Sequence, residues 1–292
     1  MEISVPSILL GLGGKSLLNW TLVLLQKKHM FWSFLGVFSC SLALVDSLLT
    51  LSLSVLHLQG DICVLGVRFT RHHVCLLVQI FSYTYDALNW PVLIASALDH
   101  FWILLPGPTT ASRGLKLCYI TATCLLWSLV LLYVFLVSGF RPVFGNEPHH
   151  HLLHQCWVLS STQMPQVSMV LFLTIVCAVL HVLTGLPMPK NRASKETKTD
   201  AKSKKDTIGR CLWIFLSTWV CFIVLLAVIL MLPDGIPAYL GLNVAWLCFT
   251  RSFIIGVFVC TRWSTPQLEE CSAFSDYFCN WRLSFLADQE NP

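Results

Sequence analysis

Residues 34–58 read FLGVFSCSLALVDSLLTLSLSVLHL, an apolar run that carries a single carboxylate, Asp46, at its midpoint. A bilayer core about 30 Å thick needs a helix of roughly 20 apolar residues, so this run has the length of a membrane span. One such run alone could equally be a buried core helix. The chain contains seven of them, and that number excludes the soluble alternative. We therefore predict an all-α membrane protein, a seven-transmembrane helix bundle.

The composition agrees with this prediction. Of the 292 residues 55% are hydrophobic and only 12% are charged, about half the charged share of a typical soluble domain. The start lacks a basic region before its apolar stretch, so we expect no cleaved signal peptide. We predict one transmembrane domain, 1–262, and a C-terminal tail, 263–292. The predicted spans are 3–26, 34–58, 76–100, 115–137, 164–187, 210–232 and 239–262.

Lysine and arginine are divided unevenly between the two sides of this topology. One side has three, Arg68, Arg71 and Arg141. The other side has twelve: Lys27, Lys28, Arg113, Lys116, Lys190, Arg192, Lys195, Lys198, Lys202, Lys204, Lys205 and Arg210. Because cytoplasmic loops carry the excess of basic residues, we predict that the N-terminus lies outside and the C-terminus inside.

The longest inside loop, residues 188–209, is a polar segment of low complexity. Between positions 190 and 206 it has seven basic and three acidic residues. Such a loop is either a solvated linker held near anionic lipid or a contact surface for a cytosolic partner. The partners predicted for the chain are therefore the lipid bilayer, an extracellular ligand, and a heterotrimeric G protein or other cytosolic protein at this loop. No nucleic-acid partner is expected.

Four charged residues lie well inside the apolar runs: Lys15, Asp46, Asp86 and Arg251. A charge at the bilayer centre costs a few kcal/mol, and two positive and two negative charges suggest pairing within a bundle. Lys15 can extend toward the outer surface along its aliphatic stem. Arg251 shares its depth with Asp46 and nearly with Asp86, so depth alone leaves both carboxylates as its partner.

Several short motifs follow one another in a fixed order along the runs. They comprise Asn19; Leu42, Ala43 and Asp46; Cys75 followed by LDHF (98–101); Trp127; Cys156 in the second outside loop; and STWVCF (217–222). This ordered set, which covers nearly the whole chain, resembles the rhodopsin-like (class A) G-protein-coupled receptors. Four stretches look like an orphan member of that family: VRFTRHHVCLLVQIFSYTY (67–85), IFLSTWVCF (214–222), IPAYLGLNVAWL (236–247) and FCNWR (278–282).

The resemblance implies a multi-pass receptor of the plasma membrane that is not an enzyme, needs no cofactor, and transduces the signal of an unassigned extracellular ligand. It implies a disulfide between Cys75 and Cys156, for which Cys63 could compete. By the same resemblance, part of the third run lines the ligand pocket and Asp86 could meet a basic ligand group or Lys15. The ligand-pocket candidates are Ser82, Tyr83, Asp86, Trp219, Phe222 and Tyr239.

The chain departs from this family at its switch positions. The Asp-Arg-Tyr motif reads Asp99-His100-Phe101, the Cys-Trp-x-Pro motif has Trp219 but no proline, and the Asn-Pro-x-x-Tyr motif begins Arg251-Ser252. Because three switch motifs are altered together, the alternative is a membrane protein on a receptor scaffold without G-protein output, acting as a scavenger or partner-binding protein.

The resemblance also favours one partner for Arg251. In these receptors the matching position faces the one that matches Asp46, often around a bound sodium ion. We hypothesise that the guanidinium of Arg251 occupies that place and pairs with Asp46, with Asn89 and Asn19 completing a polar core. Sodium is then predicted to have no effect on thermal stability.

Two further groups of residues have weaker signals. The second outside loop has four histidines, His149, His150, His151 and His154, a density that can bind zinc; we interpret them as an exposed polar loop and predict no metal. A histidine-box membrane enzyme is the remote alternative that uses such residues. Palmitoylation candidates near the inner face are Cys260, Cys271 and Cys279.

Overall fold

The computed structural model describes residues 2–25, 33–59, 62–64, 67–69, 71–104, 112–137, 155–185, 197–231, 235–262, 275–276 and 279–280. The described part is mainly helical. Its helices are α1 (Val5–Leu25), α2 (Phe34–Gln59), α3 (Arg71–Leu104), α4 (Ser112–Leu136), α5 (Met164–Gly185), α6 (Thr197–Leu230), α7 (Ala238–Gly241) and α8 (Val244–Arg262).

Within the described residues, the seven predicted apolar runs fall mainly on these helices, the last run on α7 and α8 together. Among the described residues, four stretches are long and apolar enough to cross a bilayer: Val5–Leu25, Phe34–Gln59, Gly114–Leu136 and Leu212–Leu230. Two shorter apolar stretches, Met164–Val176 and Val244–Val257, lie on α5 and α8. The chain is therefore a helical membrane protein.

Two helix ends differ from the ends of the predicted runs. The helix α6 begins at Thr197, so much of the segment predicted as a loop is helical. Its lysines, alanine and acidic residues are adequate helix formers, and opposite charges stand four residues apart, as in Asp200 and Lys204. The last predicted run is interrupted at Leu242–Asn243, which separates α7 from α8.

The chain divides into two compact units. The first is Met1–Met164 with Leu232–Cys248, and the second is Pro165–Met231 with Phe249–Pro292. In the first unit α2 packs against α1, α3 and α4, while α7 packs against α1 and α3. Its core includes the fully buried side chains of Phe38, Leu42 and Tyr85.

An aromatic cluster joins α6 to α8 in the second unit. The ring of Phe249 lies 5.5 Å from that of Trp219, 5.2 Å from that of Phe222 and 5.4 Å from that of Phe215. Aromatic pairs at these separations are typical of packed cores. The tail adds a short hairpin, β5 (Ser275–Asp276) with β6 (Cys279–Asn280), and β6 contacts α6.

Two small antiparallel sheets complete the first unit. Strand β2 (Ile62–Val64) pairs with β3 (Val67–Phe69), and β1 (Glu2–Ser4) pairs with β4 (Gln155–Trp157). The second pairing ties the start of the chain to the segment before α5. Cys156, at the centre of β4, forms a disulfide bond with Cys75 on α3, as the resemblance implied.

We predict that Cys75→Ser and Cys156→Ser lower surface expression to the same extent as the double variant, because either change opens the same covalent loop. Loss of a disulfide of this kind costs about 2–5 kcal/mol. Labelling of cells at the surface measures the effect, and Cys63→Ser is the matched control. A loss of expression as large in the control would show that Cys63 takes part in the pairing.

Candidate functional site

The carboxylate of Asp46 on α2 is fully buried within the first unit. Lys15 Nζ and the Tyr85 hydroxyl donate to its Oδ1 at 2.9 and 2.7 Å, and Asn19 Nδ2 donates to its Oδ2 at 2.7 Å. These four residues, Lys15, Asn19, Asp46 and Tyr85, are termed the Lys15–Asp46 cluster. The cluster joins α1, α2 and α3 at one buried point.

The ammonium of Lys15 has three close partners in the first unit. Besides Asp46, it donates to the backbone carbonyl of Tyr239 at 2.9 Å, and its Nζ lies 3.9 Å from the centroid of the Tyr85 ring, a cation–π contact. The two charged side chains are 3% and 0% exposed. The ion pair is therefore buried with both its charge and its hydrogen bonds satisfied.

The break between α7 and α8 supplies two of the contacts around this cluster. Asn243 stabilises both helix ends, since its Nδ2 donates to the carbonyls of Leu240 and Gly241 and its Oδ1 accepts from the N–H of Trp246. Because the helix stops here, the carbonyl of Tyr239 at the end of α7 is available to Lys15.

The first N–H group of α8 also makes a hydrogen bond to the cluster. The N–H of Val244 donates to Asn19 Oδ1 at 2.9 Å, while Asn19 Nδ2 is bonded to Asp46. The side-chain amide of Asn19 thus links α8, through its oxygen, to α2, through its nitrogen. A second α1–α2 contact lies beside it, where Trp20 Nε1 donates to Ser47 Oγ at 2.7 Å.

A buried ion pair is not in itself a large source of stability, because desolvation offsets much of the attraction between the charges. Removing one partner is nevertheless costly, since the other charge is left buried and unpaired. Ionisable residues inside membrane spans are rare and mark functional positions. The cluster is therefore the candidate functional site, a polar joint at which α1, α2, α3 and the α7–α8 break meet.

The positively charged side chain that pairs with Asp46 is not the one predicted. Lys15 was expected to extend toward the outer surface and Arg251 to neutralise Asp46, but the ammonium of Lys15 makes the ion pair. The physical reason is helical spacing: Lys15 lies one turn before Asn19, so both side chains reach the same carboxylate. Arg251 lies half-buried on α8 in the second unit.

Asn89, a predicted polar-core position, and Trp127, one of the motif residues, also have contacts in the first unit. Asn89 on α3 accepts a hydrogen bond from Trp246 Nε1 at 3.3 Å, which links α3 to α8 near the cluster. Trp127 on α4 donates to Ser41 Oγ at 3.1 Å and stacks on Phe38. These contacts anchor the helices that carry Asp46 and Tyr85.

The ligand-pocket candidates divide between the two units. Ser82 is buried and its hydroxyl donates to the carbonyl of Val78 on its own helix. Asp86 is half-buried and accepts from the backbone N–H and the hydroxyl of Thr162, so its partner is not Lys15. Tyr83 is half-buried and Tyr239 is buried in the first unit, while Trp219 and Phe222 belong to the aromatic cluster of the second.

At the switch positions, the carboxylate of Asp99 is fully engaged. Its Oδ1 accepts from the Tyr119 hydroxyl at 2.6 Å and its Oδ2 from the N–H of Phe34, the first residue of α2, at 3.0 Å. Ser252 is 1% exposed. His100 and Phe101 continue α3, and their side chains lie outside the described residues.

Several predicted positions lie outside the described part of the chain: Cys271, His149, His150, His151 and His154. Cys260 is on α8 and Cys279 on β6. Among the described residues, no group of three or more His, Cys, Asp or Glu side chains is placed to hold a metal ion.

Comparisons with known proteins agree with the resemblance in the sequence. No family model and no solved structure matches the chain. It is 33% identical to the mouse protein named Probable G-protein coupled receptor 160, over 94% of this chain and 85% of that protein. It is 33% identical to the rat protein of the same name, over 96% and 87%, and 28% identical to the human one, over 94% and 85%.

The prediction of a receptor family is confirmed by these relatives. Together with the apolar helices, they assign the chain to the plasma membrane as a multi-pass protein. The chain belongs to the family of Probable G-protein coupled receptor 160.

Proposed function

We propose that the chain is a seven-span receptor, with its N-terminus outside and its C-terminus inside, that passes the signal of an extracellular ligand to a cytosolic partner. The observation that carries the proposal is the Lys15–Asp46 cluster, which couples α1, α2, α3 and the α7–α8 break through a single buried ion pair. Because the ion pair and its hydrogen bonds connect these helices directly, we expect a ligand that shifts one of them to affect the others.

The orientation is supported by two independent features. The disulfide between Cys75 and Cys156 lies at the start of α3, and disulfides form on the oxidising, extracellular side. The basic segment 188–209 is predicted on the opposite side, where cytoplasmic loops carry lysine and arginine. Both features support an arrangement in which α3 starts outside and Asp99 lies toward the inner side.

The inner partner is supported by the length of α6. The helix begins at Thr197 and continues without a break into the apolar stretch Leu212–Leu230. A straight continuation from 197 to 209 would extend about 20 Å from the membrane, well beyond the screening length of about 8 Å. The first turns of this extension, residues 197–202, would therefore meet a cytosolic protein rather than the lipid surface.

The alternative, a receptor scaffold without G-protein output, is favoured by one specific observation. Both oxygens of Asp99 are held, by the N-terminus of α2 and by Tyr119 on α4, and the next residue is His100 where the family has arginine. The inner end of α3 is thereby tied to two neighbouring helices without the cation that rhodopsin-like receptors use at this position.

Nucleotide exchange distinguishes the two functions. We expect the wild-type chain to give weak basal exchange on at least one class of heterotrimeric G protein, and His100→Arg to raise it severalfold, because arginine restores the missing cation next to Asp99. His100→Gln, which is similar in polarity and uncharged, is the matched control. No exchange with either the wild type or His100→Arg would contradict G-protein output and support the scaffold function.

The relatives are named as receptors, which favours a receptor over a histidine-box enzyme. Metal analysis of the purified protein tests this preference. Stoichiometric iron would reverse it.

A further inference from the structure

Residues 155–163, here termed the strap, lead from β4 to the start of α5. The strap is fastened at both ends. At its start β4 pairs with β1 and Cys156 is bonded to Cys75. In its middle the N–H of Ser161 donates to the carbonyl of Ile236 at 2.8 Å, and the N–H of Ala238 donates to the carbonyl of Leu159 at 2.9 Å. These backbone hydrogen bonds join the strap to the segment before α7.

The end of the strap is held by a carboxylate. Asp86 Oδ1 accepts from the N–H of Thr162 at 3.0 Å and from its hydroxyl at 2.7 Å. Hydrogen bonds to an ionised acceptor are stronger than neutral ones, so we expect this contact to hold the strap more firmly than its neutral backbone hydrogen bonds do.

Close packing against α7 follows directly after it. A Cβ atom at Gly241 would lie 2.7 Å from Gln163 Oε1 and 2.9 Å from Ser161 Oγ. Glycine at this position therefore lets the strap lie directly on the turn of α7, whose Tyr239 carbonyl binds Lys15. The strap is in contact with the element that completes the Lys15–Asp46 cluster.

Only one of the two carboxylate oxygens of Asp86 is hydrogen-bonded to the strap. The two hydrogen bonds from Thr162 go to Oδ1, and among the described residues Oδ2 accepts none. Asp86 is half-buried and Thr162 is exposed. The second oxygen therefore retains acceptor capacity for a cationic group that approaches α3.

We propose that Asp86 is the latch of the strap, and that a basic ligand group bound at Oδ2 loosens it. The ligand step rests on the proposed receptor function. A cation at Oδ2 withdraws charge from the carboxylate, so both hydrogen bonds to Thr162 become weaker. By linkage, a strap that is already loosened binds the same basic group more tightly.

Hydrogen exchange of the purified full chain tests the latch without ligand or G protein. Thr162→Val removes the hydroxyl donor and keeps the shape of the side chain, so the amide N–H groups of residues 161 and 162 should exchange about tenfold faster. Thr162→Ser keeps the hydroxyl and should exchange at the wild-type rate. Unchanged exchange in Thr162→Val, or an equal rise in Thr162→Ser, would overturn the latch.

The ligand step is tested with n-butylammonium chloride as the probe and n-butanol as its neutral control. The ammonium should speed exchange at residues 161 and 162 in the wild type but not in Asp86→Asn, and butanol should have no effect in either. If the latch responds to Thr162→Val but the ammonium changes nothing, the ligand step is wrong and the latch stands. Neither result depends on G-protein output.

Discussion

Replacing Lys15 with methionine should destabilise the folded chain by about 3–5 kcal/mol, because the change leaves the Asp46 carboxylate buried without its cation. Methionine keeps the length of the side chain but can donate no hydrogen bond, so the carbonyl of Tyr239 also loses its donor. Asp46→Asn should have an effect of similar size for the opposite reason. The measurements are surface expression in cells and the thermal unfolding midpoint in detergent.

The double variant Lys15→Met/Asp46→Asn should recover most of the loss, since it buries no net or unpaired charge. An asparagine at position 46 can still accept the hydrogen bond from Asn19 with its single oxygen, and its NH2 group, on the side of Oδ1, can donate to the hydroxyl oxygen of Tyr85. The matched comparison is Arg251→Met/Asp46→Asn, which the structure predicts will not recover. Recovery with the Arg251 substitution instead of the Lys15 substitution would show that Arg251, and not Lys15, neutralises Asp46.

The helices could be predicted from the sequence because membrane spans depend on length and apolar content, which a single sequence displays directly. The predicted run 34–58 corresponds to α2, and run 164–187 to α5, within a residue or two. The start of α6 could not be found this way. Residues 197–209 are polar and of low complexity, and their helical propensity competes with the composition of a linker.

The cation that pairs with Asp46 could not be predicted from membrane depth or from the family resemblance. Its depth in the membrane left Arg251 with two possible carboxylate partners, and the family resemblance favoured Asp46. Neither argument took into account that Lys15 and Asn19 share one face of α1. The interval of four residues was a usable signal for that face. Tyr85 was harder to foresee because its hydroxyl reaches Asp46 from α3, a contact between helices that are distant in sequence. The carbonyl of Tyr239 was harder still, because its role depends on the α7–α8 break at Asn243, which no composition or hydropathy pattern indicated.

The wild-type chain should show no stabilisation by sodium when sodium chloride replaces choline chloride at equal ionic strength. Rhodopsin-like receptors often bind sodium at the position that matches Asp46, and here the ammonium of Lys15 lies 2.9 Å from that carboxylate. A tethered cation that already satisfies Asp46 Oδ1 and the Tyr239 carbonyl leaves sodium no charge to neutralise. Thermal unfolding midpoints in the two salts provide the measurement.

Lys15→Ala should reverse this behaviour, because it removes the tethered ammonium and leaves carboxylate and carbonyl oxygens where Nζ lay. Oxygen atoms of this kind can replace the hydration shell of a monovalent cation. At about ten times its dissociation constant, sodium would add about 1.4 kcal/mol to the stability of the variant. The control Lys15→Ala/Asp46→Asn keeps the carbonyl but lacks the charge, and it should not respond. A sodium response in the wild type, or the same response with and without the Asp46 carboxylate, would show that Lys15 is not the built-in cation of this site.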